Sequence, residues 1–337
     1  MVLKANDSLK EKNTMVSDSI LKKKILITGG LGFLGVNLTE KLLGLGVKPF
    51  ILDIHPESIF ENNFYIPFKL PDINYFQLNL KDKEATSKII EIIKPDVIVH
   101  AAALTNLNRD YKTAIDTIDI NIKVTLNILE SLKEHPSTKL IFISTSDLYG
   151  EVEPPFREDQ LCYPASPYSI SKLTCENFCI MYSNINKFPL VILRIFNIFG
   201  KYQREGRLIP YIIKELLQNK PVKLTPGEQK REYNYIGNIS DAIVNAIENS
   251  QISKEIINIG SGISVKIKDV ALKIAMTLEK PELLEIGAIP YRKNEIWDMY
   301  CDNNRALTKL NWKPTVDFDE GLRLTIEWFK KCFSEES

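Results

Sequence analysis

The sequence predicts an α/β fold: a doubly wound parallel sheet of the Rossmann type, with a smaller mixed α/β domain attached. Three observations predict it. Short apolar strands alternate with amphipathic helices across residues 22–195, the order that builds parallel sheets. The run Pro95-Asp96-Val97-Ile98-Val99-His100 is almost wholly apolar, as a strand buried on both faces must be. The first strand opens into a glycine-rich turn and then a helix. Beyond residue 195 the alternation fails, so 196–337 is assigned mainly to the second domain, with a segment near 231–259 returning to the first.

Taken in order, residues 1–21 are polar and mixed in charge, without the apolar core of a signal peptide, and read as a disordered arm. Lys24-Ile25-Leu26-Ile27-Thr28 is the first strand. Gly30, Gly32 and Gly35 follow in a G-x-G-x-x-G pattern, with Gly29 just before them. Glycine permits φ > 0 and lets a pyrophosphate approach the backbone. The helix that begins at Phe33-Leu34-Gly35 offers free N–H groups to the same anion. A second strand, 49–53, ends on Asp53, at the distance where a carboxylate takes the ribose hydroxyls of NAD and repels the 2′-phosphate of NADP. A turn or helix-capping Asp is the plainer alternative. Strands follow at 74–78, 95–100, 140–144 and 190–194, with helices at 83–93 and about 114–133. In the irregular half, helices are expected at 208–219, 241–250 and 318–332, and strands at 221–224 and 256–259.

The charge balance, 43 basic against 43 acidic residues, provides no field to recruit nucleic acid or an anionic membrane. No apolar run is long enough to span a bilayer. Five cysteines form no C-x-x-C pair, so reduced thiols, a cytoplasmic location and no metal site are expected. Cys175 and Cys179 share a helix face but lack a nearby His in sequence.

Tyr168-Ser169-Ile170-Ser171-Lys172 places a phenol and an amine at i and i+4 on one helix face, with Pro167 suited to the first turn. A lysine held below the ring, together with an oxidised nicotinamide, would favour phenolate and make Tyr168 a general base. The bland alternative is a packed aromatic and a solvated lysine. Ser144-Thr145-Ser146-Asp147 ends the fifth strand and brings hydroxyls to the ligand edge of the sheet.

With these motifs together the chain resembles the extended short-chain dehydrogenase/reductases, in the group of NAD-dependent nucleotide-sugar epimerases and dehydratases. Further matching stretches are His100-Ala101-Ala102-Ala103, Asn121, Arg194-Ile195-Phe196-Asn197-Ile198-Phe199-Gly200, Arg231-Glu232-Tyr233 and Asn258-Ile259-Gly260-Ser261-Gly262. Tyr291-Arg292-Lys293-Asn294-Glu295 and Leu310-Asn311-Trp312-Lys313-Pro314 match as well. The resemblance implies Tyr168 as base, Lys172 as its partner and nicotinamide-ribose ligand, and Thr145, beside Ser146, as the hydroxyl on the sugar oxygen. It also implies Asn197, Arg231 and Arg292 on a diphosphate, which suits guanidinium donors; an Asn197 that only caps a loop is the alternative. Asn79 and Leu80 would face the adenine, and Ala101, Ala102 and Ala103 would line the cofactor. Asn121 is taken as a packing residue. The resemblance further implies a homodimer through the 114–133 and Tyr168 helices, where Ile118, Ile122, Leu126 and Leu129 supply an apolar face.

Three positions depart from the pattern: Asn79 and Glu232 each stand where Asp is usual, and Val124 replaces a glycine. Asp147 bears on the reaction. Dehydratases of this group carry Glu there as an extra acid/base, and the shorter Asp147 favours 4-epimerase or 4-oxidoreductase chemistry on a nucleotide-diphosphate sugar, with 4,6-dehydration as the alternative. A dinucleotide-binding protein without catalysis is the third reading; retention of Thr145, Tyr168 and Lys172 together argues against it.

Overall fold

The computed structural model describes residues 18–61, 65–291 and 295–336. Residues 1–17 of the expected arm therefore lie outside the described residues. The arm's end is corrected: Asp18–Leu21 is a helical turn, and it seats Ile20 fully in the core. An isoleucine leaving water for an apolar pocket gives the turn a reason to stay.

Seven parallel strands form the central sheet: β1 (Ile25–Thr28), β2 (Phe50–Asp53), β3 (Asn74–Gln77), β4 (Val97–His100), β5 (Lys139–Thr145), β6 (Leu190–Ile195) and β7 (Glu255–Ile259). Their order is β7-β6-β5-β4-β1-β2-β3. The direction of winding reverses between β1 and β4, which opens a crevice at the carboxyl ends of those strands. Successive residues of each strand enter opposite cores, as the pleat demands. Ile25, Ile27, Val97, Val99 and Ile141 pack under helices Phe33–Gly44 and Ile236–Glu248. Leu26, Ile98, Leu140 and Phe142 pack under helices Lys83–Ile93 and Pro167–Asn186.

The helix expected at 114–133 runs from Tyr111 to Ser131 but is broken by a π-helical segment, Ile118–Ile122. Asn121 sits in that segment. Its Oδ1 accepts the Leu104 N–H (2.7 Å), and its Nδ2 donates to the Leu104 carbonyl (3.1 Å) and Ser171 Oγ (2.9 Å). This buried amide fixes the loop after β4 against the helix that carries Tyr168. The latter helix begins at Pro167 behind a capping box: Ser166 Oγ accepts the Ser169 N–H while Ser169 Oγ accepts the Ser166 N–H.

The second half builds three small sheets and a third core. Val222–Leu224 pairs with Leu284–Ile286, Lys230–Glu232 with Ser264–Lys266, and Ile198–Phe199 with Asn234–Tyr235. Helices Leu208–Leu217, Ile267–Thr277 and Phe318–Glu336 cover them. The halves interleave. β7 lies at the edge of the central sheet, and Ala306, Leu310 and Trp312 pack into its first core. Among the described residues no helix is long and apolar enough to cross a membrane.

Candidate active site

The glycine turn is closely packed. A Cβ on Gly29 would lie 2.7 Å from Ala102 Cα, one on Gly30 2.4 Å from Ile51 Cγ2, and one on Gly35 2.4 Å from the Gly29 carbonyl oxygen. Gly29 also has φ = +69°. No side chain caps the helix that follows. Its first bond runs from the Val36 N–H to the Gly32 carbonyl (2.9 Å), so the N–H groups of Phe33, Leu34 and Gly35 have no helical partner. At the end of β2, Asp53 Oδ2 accepts the Leu31 N–H (3.0 Å), and Oδ1 accepts the Ile54 N–H (2.8 Å) and His55 Nδ1 (2.6 Å).

A cavity of about 890 Å³ begins at this turn. Gly29, Gly32, Phe33, Leu34, Gly35, Ala101 and Ala103 line its near end, Thr145, Ser146, Asp147, Tyr168 and Lys172 its middle, and Asn197 and Arg231 its far side. Gly30, Asp53, Asn79, Leu80 and Ala102 stand outside the wall.

Thr145 ends β5, its Oγ1 accepts the Asp147 N–H (3.2 Å), and it stands close enough to the Tyr168 phenol to act on its ionisation. Burial raises the phenol's pKa, and the neighbouring Asp147 adds to the rise; the Thr145 contact and the Arg207 charge oppose it. The Asp147 carboxyl is also raised by burial, against the pull of Arg207 and Arg231. Lys172 is buried on the same helix, four residues after Tyr168. Its ammonium lies over the Phe142 ring, 3.9 Å from the centroid, and burial lowers its pKa. In the same core His100 is held neutral: burial first, then Lys172, depresses it to about 3, and both ring nitrogens bond threonines, Thr28 (2.7 Å) and Thr125 (3.1 Å). On the far side Arg231 donates to Glu295 Oε1 (2.5 Å) and to the carbonyls of Lys230 (2.7 Å) and Ile296 (2.5 Å). Arg292 lies outside the described residues.

Residues 26–325 match the profile of the family described as GDP-mannose 4,6 dehydratase. The chain belongs to that family. It is 30% identical over 330 residues to the UDP-N-acetyl-alpha-D-glucosaminuronate decarboxylase of Bacillus cytotoxicus, covering 92% of this chain and 99% of that protein. The dTDP-D-glucose 4,6-dehydratase of Dictyostelium discoideum is 28% identical over 362 residues, covering 93% and 83%. The structure of UDP-glucuronic acid 4-epimerase from Bacillus cereus, in complex with UDP-glucuronic acid and NAD, superposes with a TM-score of 0.81 at 28% identity, covering 92% of this chain and 99% of that one. This family membership bears out the resemblance read from the motifs and the α/β fold that it implied.

Two of the expected cofactor residues follow β3 and stand outside the cavity wall. Asn79 is exposed and its Oδ1 accepts the Lys81 N–H (3.1 Å), while Leu80 is buried and its carbonyl accepts from Asn127 (2.8 Å). Beneath the site lies a buried network that the motifs only hinted at. Glu176 holds Arg194 at two points, Oε2 to Nη2 (2.7 Å) and Oε1 to Nε (3.1 Å), and accepts the Ser144 hydroxyl at 2.5 Å. Arg194 continues to Tyr149 (3.0 Å), whose hydroxyl donates to Asn258 Oδ1 (2.7 Å). The pair ties β6 and the Ser144-Thr145 end of β5 to the helix bearing Tyr168 and Lys172.

The sequence reading missed His55, Arg207 and Glu295, all on the cavity wall. Arg207 reaches Thr105 across the cleft at 3.3 Å, to both its carbonyl and its hydroxyl. The only signal for it was a charged cluster, Arg204-Glu205-Gly206-Arg207, just before a helix.

Proposed function

We propose that the chain is an NAD-dependent oxidoreductase acting on carbon 4 of a nucleoside diphosphate sugar, as a 4-epimerase or 4-oxidoreductase. The observation that carries this reading is the Tyr168–Thr145 hydroxyl pair, open to a cavity that runs from the glycine turn to Arg231. NAD fits the near end. The glycine turn is a cradle that side chains would fill, the helix start offers uncapped N–H groups, and Asp53 sits where a ribose diol would need an acceptor. Bound NAD supplies the acceptor and donor of hydride at carbon 4. Tyr168 takes the proton of the 4-hydroxyl and later returns it, and Thr145 holds that oxygen. Lys172, buried and over Phe142, contributes positive charge to the same wall. Arg231, Asn197 and Arg292 hold the diphosphate, with Glu295 fixing the Arg231 guanidinium.

The second reading, 4,6-dehydration, is favoured by one observation: Asp147 lines the cavity with a carboxyl raised by burial, as an acid needs. Its side chain is one carbon shorter than the glutamate of dehydratases, and misplacement of about 1 Å can cost a catalytic group about 10²-fold. Product formed in deuterated water separates the two. Epimerisation leaves carbon 5 unlabelled and the mass unchanged; loss of water with deuterium at carbon 5 would replace this reading by the dehydratase.

We also place the enzyme in the cytoplasm as a homodimer. Tyr111, Ile115, Ile118, Ile170, Met181 and Ile185 are exposed on the two helices expected to pair. Of the residues first named for that face, Ile118 is exposed, Ile122 and Leu126 are half-buried, and Leu129 is wholly inside its own core. Sedimentation at dimer mass in the micromolar range is expected, and monomer mass throughout would refute it.

A further inference from the structure

Asp53 and His55 form a joined pair at the rim of the glycine turn. The Asp53 carboxylate already accepts three short hydrogen bonds: Leu31 N–H at 3.0 Å on Oδ2, and Ile54 N–H at 2.8 Å and His55 Nδ1 at 2.6 Å on Oδ1. A carboxylate offers about four lone-pair sites, so one remains, on Oδ2. An adenosine ribose brings two hydroxyl donors to this point, and the second must find another acceptor. An ionised carboxylate only accepts, so the His55 nitrogen facing it carries the proton. In the neutral ring that leaves Nε2 as an acceptor. His55 lines the cavity wall, whereas Asp53 lies behind it. The His55 main chain is held as well: its carbonyl accepts the Tyr75 hydroxyl and its N–H leans on Asp53 Oδ1 at 3.4 Å.

From this geometry, and resting on the NAD reading above, we infer that His55 is a cofactor-selecting residue. Its Nε2 takes one ribose hydroxyl, Asp53 Oδ2 takes the other, and the pair selects a ribose with a free 2′-hydroxyl. A 2′-phosphate is a cluster of acceptors. Set against two acceptors it finds no donor, and both sides lose their hydrogen bonds on leaving water. Asp53 alone, with three of its sites filled, does only part of this work.

Dissociation constants for NAD and NADP test the inference without turnover. They are measured by calorimetry in alkaline buffer, on protein stripped of dinucleotide. His55→Phe keeps a ring and removes both nitrogens. It is expected to weaken NAD about three- to tenfold and to leave NADP within about twofold, narrowing the preference. His55→Gln keeps an acceptor and is expected to retain most of the preference. If His55→Phe loses its thermal unfolding transition, His55→Ala takes its place with the same expectation. An NAD dissociation constant in the Phe or Ala variant within about twofold of the parent's would overturn this inference alone. A parent protein that binds neither dinucleotide would overturn the cofactor reading and this inference with it.

Discussion

Tyr168→Phe should lower turnover by about 10²–10⁴-fold while KM stays nearly constant. The substitution keeps the ring in its place on the helix that starts at Pro167 and removes only the hydroxyl beside Thr145. That hydroxyl is the group assigned here to move the proton of a 4-hydroxyl held by Thr145. The free protein does not by itself favour phenolate, because burial and Asp147 raise the pKa. Positive charge must therefore arrive or be present at the wall, from Arg207, Lys172 and the oxidised cofactor. A Phe variant with most of the parent's turnover would show that another group is the base. A variant with unchanged kcat and raised KM would make the phenol a binding group only.

The largest stability effect is expected at Glu176. Its carboxylate is buried against Arg194, and both side chains are almost free of solvent, 1% and 4% exposed. Contact with Glu176 and Tyr149 raises the Arg194 pKa, outweighing burial, so this guanidinium stays charged. Glu176→Gln leaves that charge buried beside a neutral amide and should cost about 3–5 kcal/mol in chemical denaturation. The double variant Glu176→Gln, Arg194→Met removes the uncompensated charge and should recover much of the loss. A single variant that loses less than about 1 kcal/mol would mean that the pair is solvated or dispensable. The consequence reaches the site, because Ser144, which donates to Glu176, immediately precedes Thr145.

How far the sequence could be read depended on how local each cause was. Helix Lys83–Ile93 was legible at both ends: Asp82 caps it through the Ala85 N–H, and its apolar face repeats cleanly. The π segment at Ile118–Ile122 was not, since the apolar periodicity runs through it. It holds an amide, Asn121, that bonds the distant Leu104 and Ser171. Glu255–Ile259 read as a strand, but its place at the sheet edge is decided by pairing with β6, which no local pattern encodes. Helix Ile236–Glu248 starts five residues before the expected position, because Gly237 and Asn238 obscure its first turn. Asn238 in fact serves tertiary bonds, with its Oδ1 accepting the Thr315 and Val316 N–H groups.

The site divides in the same way. Thr145 and Tyr168 were legible from a strand end and a helix face, and they meet. The seat of Lys172 over Phe142 depends on how β5 packs under the helix, which no local pattern encodes. His55 stands two residues after an expected ligand, yet nothing in its spacing says that its ring turns back to Asp53. Arg207 and Thr105 are 102 residues apart in the chain and are brought together only by the fold.

The central claim is that hydride leaves carbon 4 of a nucleoside diphosphate sugar, with Tyr168 moving the hydroxyl proton, and in the 4-epimerase form of the reaction returns to the same carbon. A substrate deuterated at carbon 4, turned over by the NAD-loaded protein and followed by mass spectrometry and near-ultraviolet absorbance, tests it directly. The account predicts a transient absorbance of reduced nicotinamide, product with deuterium still at carbon 4, and loss of both signals in Tyr168→Phe. Product that forms with deuterium released to solvent, or without any absorbance change in the presence of several nucleoside diphosphate sugars, would contradict it.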